Sequence, residues 1–142
     1  MDATLLGVVL DSSVPIAAER RNLTPAQAVE SVQRNVGEVP IVLCALTIAE
    51  IGHGIYRAGA EDLRKRRRGF LDELKATVPI HPITDVTAEI IARIGGEQAA
   101  HGINLPLGDL IIGATAVELG YAVATGNLRD FSRIPGLRVV QL

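Results

Sequence analysis

The feature that most constrains the fold of this chain is a series of short apolar segments separated by helical patterns. Five segments are strand-like: residues 5–10, 39–44, 78–83, 121–125 and 137–140. Each is apolar at successive positions instead of alternating with polar residues, which is typical of parallel strands covered by helices on both faces. The sequence therefore predicts an α/β domain with a parallel sheet. No linker or repeat divides residues 1–142, so we expect one domain.

Helix signals occupy the gaps between these segments. Thr24 and Gln27 form a capping box at the start of one helical pattern, and Gly37 follows its end. Residues 85–102 are compatible with one helix or two. A short apolar helix is predicted over residues 109–120.

Composition excludes several classes of protein. No run approaches the roughly 18 apolar residues of a membrane span, and the N-terminus lacks the basic region of a secretory signal. The single cysteine, Cys44, cannot form an internal disulfide, so we expect a cytoplasmic protein without membrane contact. A net charge of −2 provides no general attraction to nucleic acid, and 3% aromatic residues are too few for a base-stacking surface.

Four acidic residues occupy comparable places along the chain. Asp11 ends the first strand, Glu50 follows the second, Asp109 opens a helix and Asp130 follows the fourth strand. The carboxyl ends of parallel strands share one edge of a sheet with the N-termini of the helices that follow. We therefore expect the four carboxylates to lie close together.

Helix capping is the simpler explanation for any one of these acids. The candidate caps are Thr47 with Glu50, Asp109 alone, Asn127 with Asp130, and Ser13 beside Asp11. Four neighbouring carboxylates, however, raise one another's pKa unless a cation joins them. Oxygen ligands favour Mg²⁺ or Mn²⁺, and such a site suits phosphodiester hydrolysis.

Three motifs of this chain resemble those of PIN domains, most closely the VapC-type toxins of bacterial toxin–antitoxin pairs. "VVLDSSVPIAAER" is similar to the opening strand of that family, and "LTIAEIGHGI" to its second motif. The segment "LPLGDLIIGATAVELGYAVATGNLRDFSRIPGL" resembles the closing motif. The polar residues within these motifs are Asp11, Ser13, Glu50, Asp109, Thr125, Asn127 and Asp130.

This resemblance implies a three-layer α/β/α fold around a mainly parallel sheet, and a ribonuclease that depends on Mg²⁺ or Mn²⁺. It implies catalytic roles for Asp11, Ser13, Glu50, Asp109, Asn127 and Asp130, with the four acids as metal ligands. Ser13 would hold either a metal-bound water or the Asp11 carboxylate. The implied partners are RNA, an antitoxin whose tail covers the acidic pocket, and a second copy of the chain. A non-catalytic module that binds RNA or a partner protein is the alternative.

A run of cations separates the second and third strand-like segments. It consists of Arg64, Lys65, Arg66, Arg67 and Arg68. A solvated helix face would explain the run. Five cations on one helix also repel one another, so contact with RNA phosphates or with an acidic partner is the other interpretation.

Overall fold

The strands form one parallel sheet in the computed structural model, which describes residues 4–142. The strands are β1 (Val8–Leu10), β2 (Ile41–Cys44), β3 (Ile80–His81), β4 (Ala122–Thr125) and β5 (Val139–Gln141). Their order across the sheet is β3-β2-β1-β4-β5, and every neighbouring pair is parallel. The predicted parallel sheet is confirmed. Each strand is shorter than its apolar segment, because apolar residues beyond the pairing still pack into the core.

Six α-helices connect the first four strands in pairs. They are α1 (Ser13–Arg20), α2 (Pro25–Val36), α3 (Ala45–Arg57), α4 (Glu61–Thr77), α5 (Asp85–Ala100) and α6 (Leu107–Leu119). The capping box predicted at Thr24 is present at the start of α2. The segment that could have been one helix or two is the single helix α5. No helix within residues 4–142 is both long and apolar enough to cross a membrane.

The helices form one layer on each face of the sheet. Val8 and Leu10 of β1 pack against buried residues of α1–α4, whereas Val9, which points to the opposite face, packs against residues of α5 and α6. The alternation follows from the two-residue period of a strand. Because both faces are covered, the strand residues are apolar at every position, and the three-layer α/β/α fold is confirmed.

The order of the strands locates a crevice at the centre of the sheet. From β1 the chain proceeds to β2 and β3 on one side, and then returns to place β4 and β5 on the other side. Ligands of open α/β sheets bind outside the carboxyl ends of the strands where the order reverses, here between β1 and β4. The register pairs Leu10 with Ala124, so the next residues, Asp11 and Thr125, are neighbours at this crevice.

Candidate active site

Asp11 is held at the end of β1 by two hydroxyl groups. Thr125 Oγ1 donates a hydrogen bond to Asp11 Oδ2 at 2.9 Å, and Ser13 Oγ donates to the same oxygen at 2.7 Å. The Asp11 side chain is buried, with 6% of the residue exposed. Within residues 4–142, Oδ1 accepts no hydrogen bond. One oxygen is thus fixed by the protein, and the other is available to a ligand.

Backbone groups of the loop after β4 orient these two hydroxyls. The Asn127 N–H donates to Thr125 Oγ1 at 2.9 Å, and the Gly126 N–H donates to Ser13 Oγ at 3.4 Å. A hydroxyl oxygen that accepts from the backbone directs its own hydrogen elsewhere, here towards the carboxylate. The exposed side chain of Asn127 makes no hydrogen bond within residues 4–142. Asn127 therefore contributes to the site through its backbone.

Glu50 is the sixth residue of α3. It therefore lies more than one helical turn beyond the end of β2, where the helix begins. Partial burial is the main cause that raises its pKa, and the charge of Asp11 raises it further. A hydrogen bond with the Ser12 side chain acts in the opposite direction. Glu50 and Asp11 thus share one electrostatic environment.

Asp109 interacts with all three of the other acids. Its pKa is raised to about 6, first by burial and then by the charges of Asp11, Asp130 and Glu50. A hydrogen bond between the carboxyl groups of Asp109 and Asp130 also raises this pKa. The structure therefore brings together the four acids predicted from the sequence. We call Asp11, Glu50, Asp109 and Asp130 the acid cluster.

The capping roles considered for these residues are wrong. The Thr47 hydroxyl is buried and has no hydrogen-bond partner within residues 4–142, because α3 begins at Ala45 and Thr47 already faces inward. The helix α6 begins at Leu107, so Asp109 is its third residue and not its cap. Neither Ser13, which lies inside α1, nor Asp130 makes a side-chain cap. Helix capping thus no longer explains the acids.

The five consecutive cations all have partners within the chain. These partners are the Ala58 carbonyl for Arg64, Glu61 for Lys65, Glu19 for Arg66, the Gly54 carbonyl for Arg67, and Tyr56 with Asp72 for Arg68. The mutual repulsion that suggested an external anion is therefore offset internally. Contact of these cations with RNA or with a partner stays a prediction.

Two site residues were not identified as such from the sequence. Thr125 is fully buried and donates to Asp11, while Ser12 hydrogen-bonds Glu50. A hydroxyl at the last position of a buried apolar strand is a signal for Thr125. This signal indicates contact with Asp11 only once β4 is known to lie beside β1.

The donor set of the acid cluster fits a hard cation. It offers carboxylate oxygens alone, which suit Mg²⁺ or Mn²⁺ rather than Zn²⁺. Within residues 4–142, no three His, Cys, Asp or Glu side chains form a ready-made metal site. Mg²⁺ retains several of its waters and needs only one or two direct carboxylates, so a hydrated ion does not require three protein ligands in place. An ion would also relieve the repulsion among the acids.

Comparison with known proteins agrees with this geometry. The PIN domain family matches residues 8–137. Ribonuclease VapC1 of Rickettsia felis is 32% identical over 135 residues, which cover 95% of this chain and 96% of that relative. The resemblance identified from the motifs is therefore confirmed.

Two solved structures share the fold. One is VapBC2 from Rickettsia felis bound to a DNA fragment from their promoter, with a TM-score of 0.82 and 17% identity over 96% of this chain and 98% of that one. The other is VapBC-5 from Mycobacterium tuberculosis, a member of the VapBC family of toxin–antitoxin systems, with a TM-score of 0.75 and 24% identity over 96% and 99%. With its acid cluster at the central crevice, the chain belongs to the PIN domain family.

Proposed function

We propose that this protein is an endoribonuclease that depends on Mg²⁺ or Mn²⁺ and acts as the toxin of a toxin–antitoxin pair. The observation that carries the proposal is the acid cluster, in which burial and then the charges of the other three acids raise the pKa of Asp109 to about 6. Such repulsion is a cost to the fold that a divalent cation offsets. The relative named Ribonuclease VapC1 supports RNA as the substrate.

When bound, the metal ion supplies positive charge that neutralises the scissile phosphate and activates water. Ser13 and Thr125 hold Oδ2 of Asp11, and Oδ1 accepts no hydrogen bond within residues 4–142. Asp109 lies in the first turn of α6, and Glu50 belongs to α3. Metal ligation by Asp11, Glu50 and Asp109, with Asp130 completing the pocket, is part of the proposal. In the proposed reaction, no side chain acts as a covalent nucleophile.

An antitoxin protein is the proposed partner of this chain. The two structural relatives are VapBC proteins, and VapBC-5 is a member of the VapBC family of toxin–antitoxin systems. We also propose a homodimer, which sedimentation of the purified chain would test. Co-expression with the product of the adjacent reading frame, followed by purification through a tag on one protein, tests the antitoxin.

Cleavage of RNA with and without Mg²⁺ tests the catalytic proposal. We expect Mg²⁺-dependent cleavage, and a loss of at least about 100-fold in Asp11→Asn, because this substitution removes a charged ligand but keeps the side-chain shape. Asp62→Asn is the matched control, since Asp62 is an exposed acid in the first turn of α4. It should cleave as the wild type does.

Cleavage that persists in EDTA, or that is unchanged in Asp11→Asn, would contradict the proposal. The variants must be purified identically, because a contaminating ribonuclease would give equal activity in all of them. Binding of RNA without cleavage by the wild type under any metal condition would favour the non-catalytic module instead.

A further inference from the structure

A cleft of about 460 Å³ lies between α1, α3 and α4, next to the acid cluster. Glu50 forms part of its wall, so the cleft and the acid cluster share this residue. Its apolar lining comes from Ile16, Ile51, Leu63 and Phe70. A molecule bound at the acid cluster therefore has a path along the outside of α3.

Arginines give this cleft a positive charge. Arg20 and Arg57 are the last residues of α1 and α3, line the cleft and are exposed. Neither takes part in an ion pair within residues 4–142. Arg67 also lines the cleft and is held there by the Gly54 carbonyl, with 2.8 Å between Nη1 and the oxygen.

The cleft contains little negative charge to cancel these arginines. Besides Glu50, its acidic residue is Glu19, whose side chain is only 11% exposed. Glu19 is paired with Arg66, which lies outside the cleft lining, at 3.2 Å. The charges of Arg20 and Arg57 are therefore available to an anionic ligand.

RNA cleavage at an acid cluster poses an electrostatic problem that this cleft resolves. Four carboxylates repel the phosphates that flank the scissile one, and the chain as a whole carries a net charge of −2. Stacking offers little compensation, since the chain has two Tyr and two Phe, and Phe70 in the cleft is buried. Affinity must therefore come from cations near the site. Arg57 lies seven residues after Glu50, about 10 Å along the helix axis.

We propose that this cleft binds the backbone phosphates of single-stranded RNA next to the cleaved bond, with Arg20 and Arg57 as the principal contacts. The inference rests on the proposed ribonuclease function, because it takes RNA as the substrate. The forked guanidinium groups suit phosphate oxygens, and such contacts position the strand without reading its sequence. Arg67, fixed by the Gly54 carbonyl, is the third contact.

Fluorescence anisotropy with a labelled single-stranded RNA of about 12 nucleotides tests this proposal. The protein carries Asp11→Asn, and EDTA is present, so that no cleavage occurs. The test variant adds Arg20→Gln and Arg57→Gln. The control adds Arg34→Gln and Lys75→Gln instead, which remove two exposed cations that are likewise in the last turns of helices but outside the cleft.

Loss of two phosphate contacts should weaken binding by about 10-fold and reduce the slope of log affinity against log salt concentration by about 1.4. The control should retain the slope of the parent protein. In the catalytically active background, the same pair of substitutions should raise KM and leave kcat close to the wild-type value. Circular dichroism and the Tm verify that both proteins are folded.

Equal slopes in the test and control variants would overturn the inference, whether or not the wild type cleaves RNA. Failure of the wild type to cleave RNA, together with the expected change in slope, would refute the proposed activity but support the cleft as an RNA-binding site. If Arg20→Gln and Arg57→Gln abolish binding of the antitoxin and leave RNA binding unchanged, the cleft is a protein-binding site and the inference is wrong.

Discussion

Asp11 is the residue on which the other site residues depend. Its charge raises the pKa of both Glu50 and Asp109, while Ser13 and Thr125 hold one of its oxygens in place. A buried carboxylate remains stable when its hydrogen bonds replace the lost hydration. The protein thus positions Asp11 through neutral donors and leaves the repulsion among the acids uncompensated, as a cation site requires.

Asp109→Asn should make the metal-free protein more stable at neutral pH. The Asp109 pKa is raised from 3.8 to about 6, so the folded state holds this proton more tightly than the unfolded state does. The contribution of Asp109 to the stability of the metal-free protein is therefore most favourable below the unfolded pKa, and it decreases as the pH rises through about 6. Solvent screens this partly exposed group, and we expect a gain of about 1 kcal/mol in the variant at about pH 8.

Urea unfolding in EDTA at about pH 4 and about pH 8 measures this effect. The stability of the variant should decline less than that of the wild type between the two pH values. Asp62→Asn, which removes an exposed acid elsewhere, should follow the wild type. Parallel pH profiles for Asp109→Asn and the wild type would show that the acids do not interact as the structure indicates.

Thr125→Val should impair the site more than Thr125→Ser. Valine has the shape of threonine but lacks the hydroxyl that donates to Asp11 Oδ2, and Thr125 is fully buried. Loss of a buried hydrogen bond to a charged group costs about 1–3 kcal/mol. We expect lower stability and lower RNA cleavage in Thr125→Val, with cleavage largely restored in Thr125→Ser. Equal cleavage by both variants would exclude a positioning role for this hydroxyl.

At the scale of elements, α4 holds the end of α3 in place. Arg64 donates to the Ala58 carbonyl at 2.8 Å, and Arg67 donates to the Gly54 carbonyl at the same distance. Carbonyl groups in the last turn of a helix lack partners within that helix, and cations interact well with its negative end. Two of the five consecutive cations therefore hold the helix that carries Glu50.

Arg67→Gln should destabilise the protein by about 1 kcal/mol, because it weakens the contact between α4 and α3. Lys65→Gln is the control, since Lys65 pairs with Glu61 at 3.6 Å where both side chains are at least 75% exposed. Its expected effect is below about 0.5 kcal/mol. Thermal unfolding in high salt, which screens the charges of α4, distinguishes an effect of this contact from an effect of the charge of the helix. Equal losses in both variants would mean that the charge of α4, and not this contact, determines stability.

At the scale of the whole molecule, strand order creates the site. The reversal between β1 and β4 brings the end of the first strand together with a loop more than a hundred residues later, and α3 and α6 supply Glu50 and Asp109. Each of the four acids comes from a different part of the chain. A cation that bridges them would therefore join elements that separate on unfolding.

Mg²⁺ should accordingly raise the Tm of the intact protein. At ten times the Kd, the gain is about 1.4 kcal/mol, or about 4 °C for a chain of this size. The shift should be smaller at about pH 5, because protons then compete for Asp109, and smaller in Asp11→Asn. Differential scanning fluorimetry measures both effects. An equal shift in the wild type and in Asp11→Asn would place the ion elsewhere.

The sequence by itself determined the elements and the chemistry. Apolar runs indicate five strands, the box of Thr24 and Gln27 marks the start of α2, and four acids indicate a hard cation. These signals are readable because they depend on residues close together in the chain. Motif resemblance extended them to the family and to the three-layer fold.

Only the tertiary structure decided how distant residues meet. The bond from Thr125 to Asp11 joins residues 114 positions apart, and it exists because β4 pairs with β1. The partners of the α4 cations likewise depend on how helices pack, as does the absence of ion pairs at Arg20 and Arg57 among residues 4–142. Local propensity carries no information about such contacts, since burial and distance are properties of the folded chain.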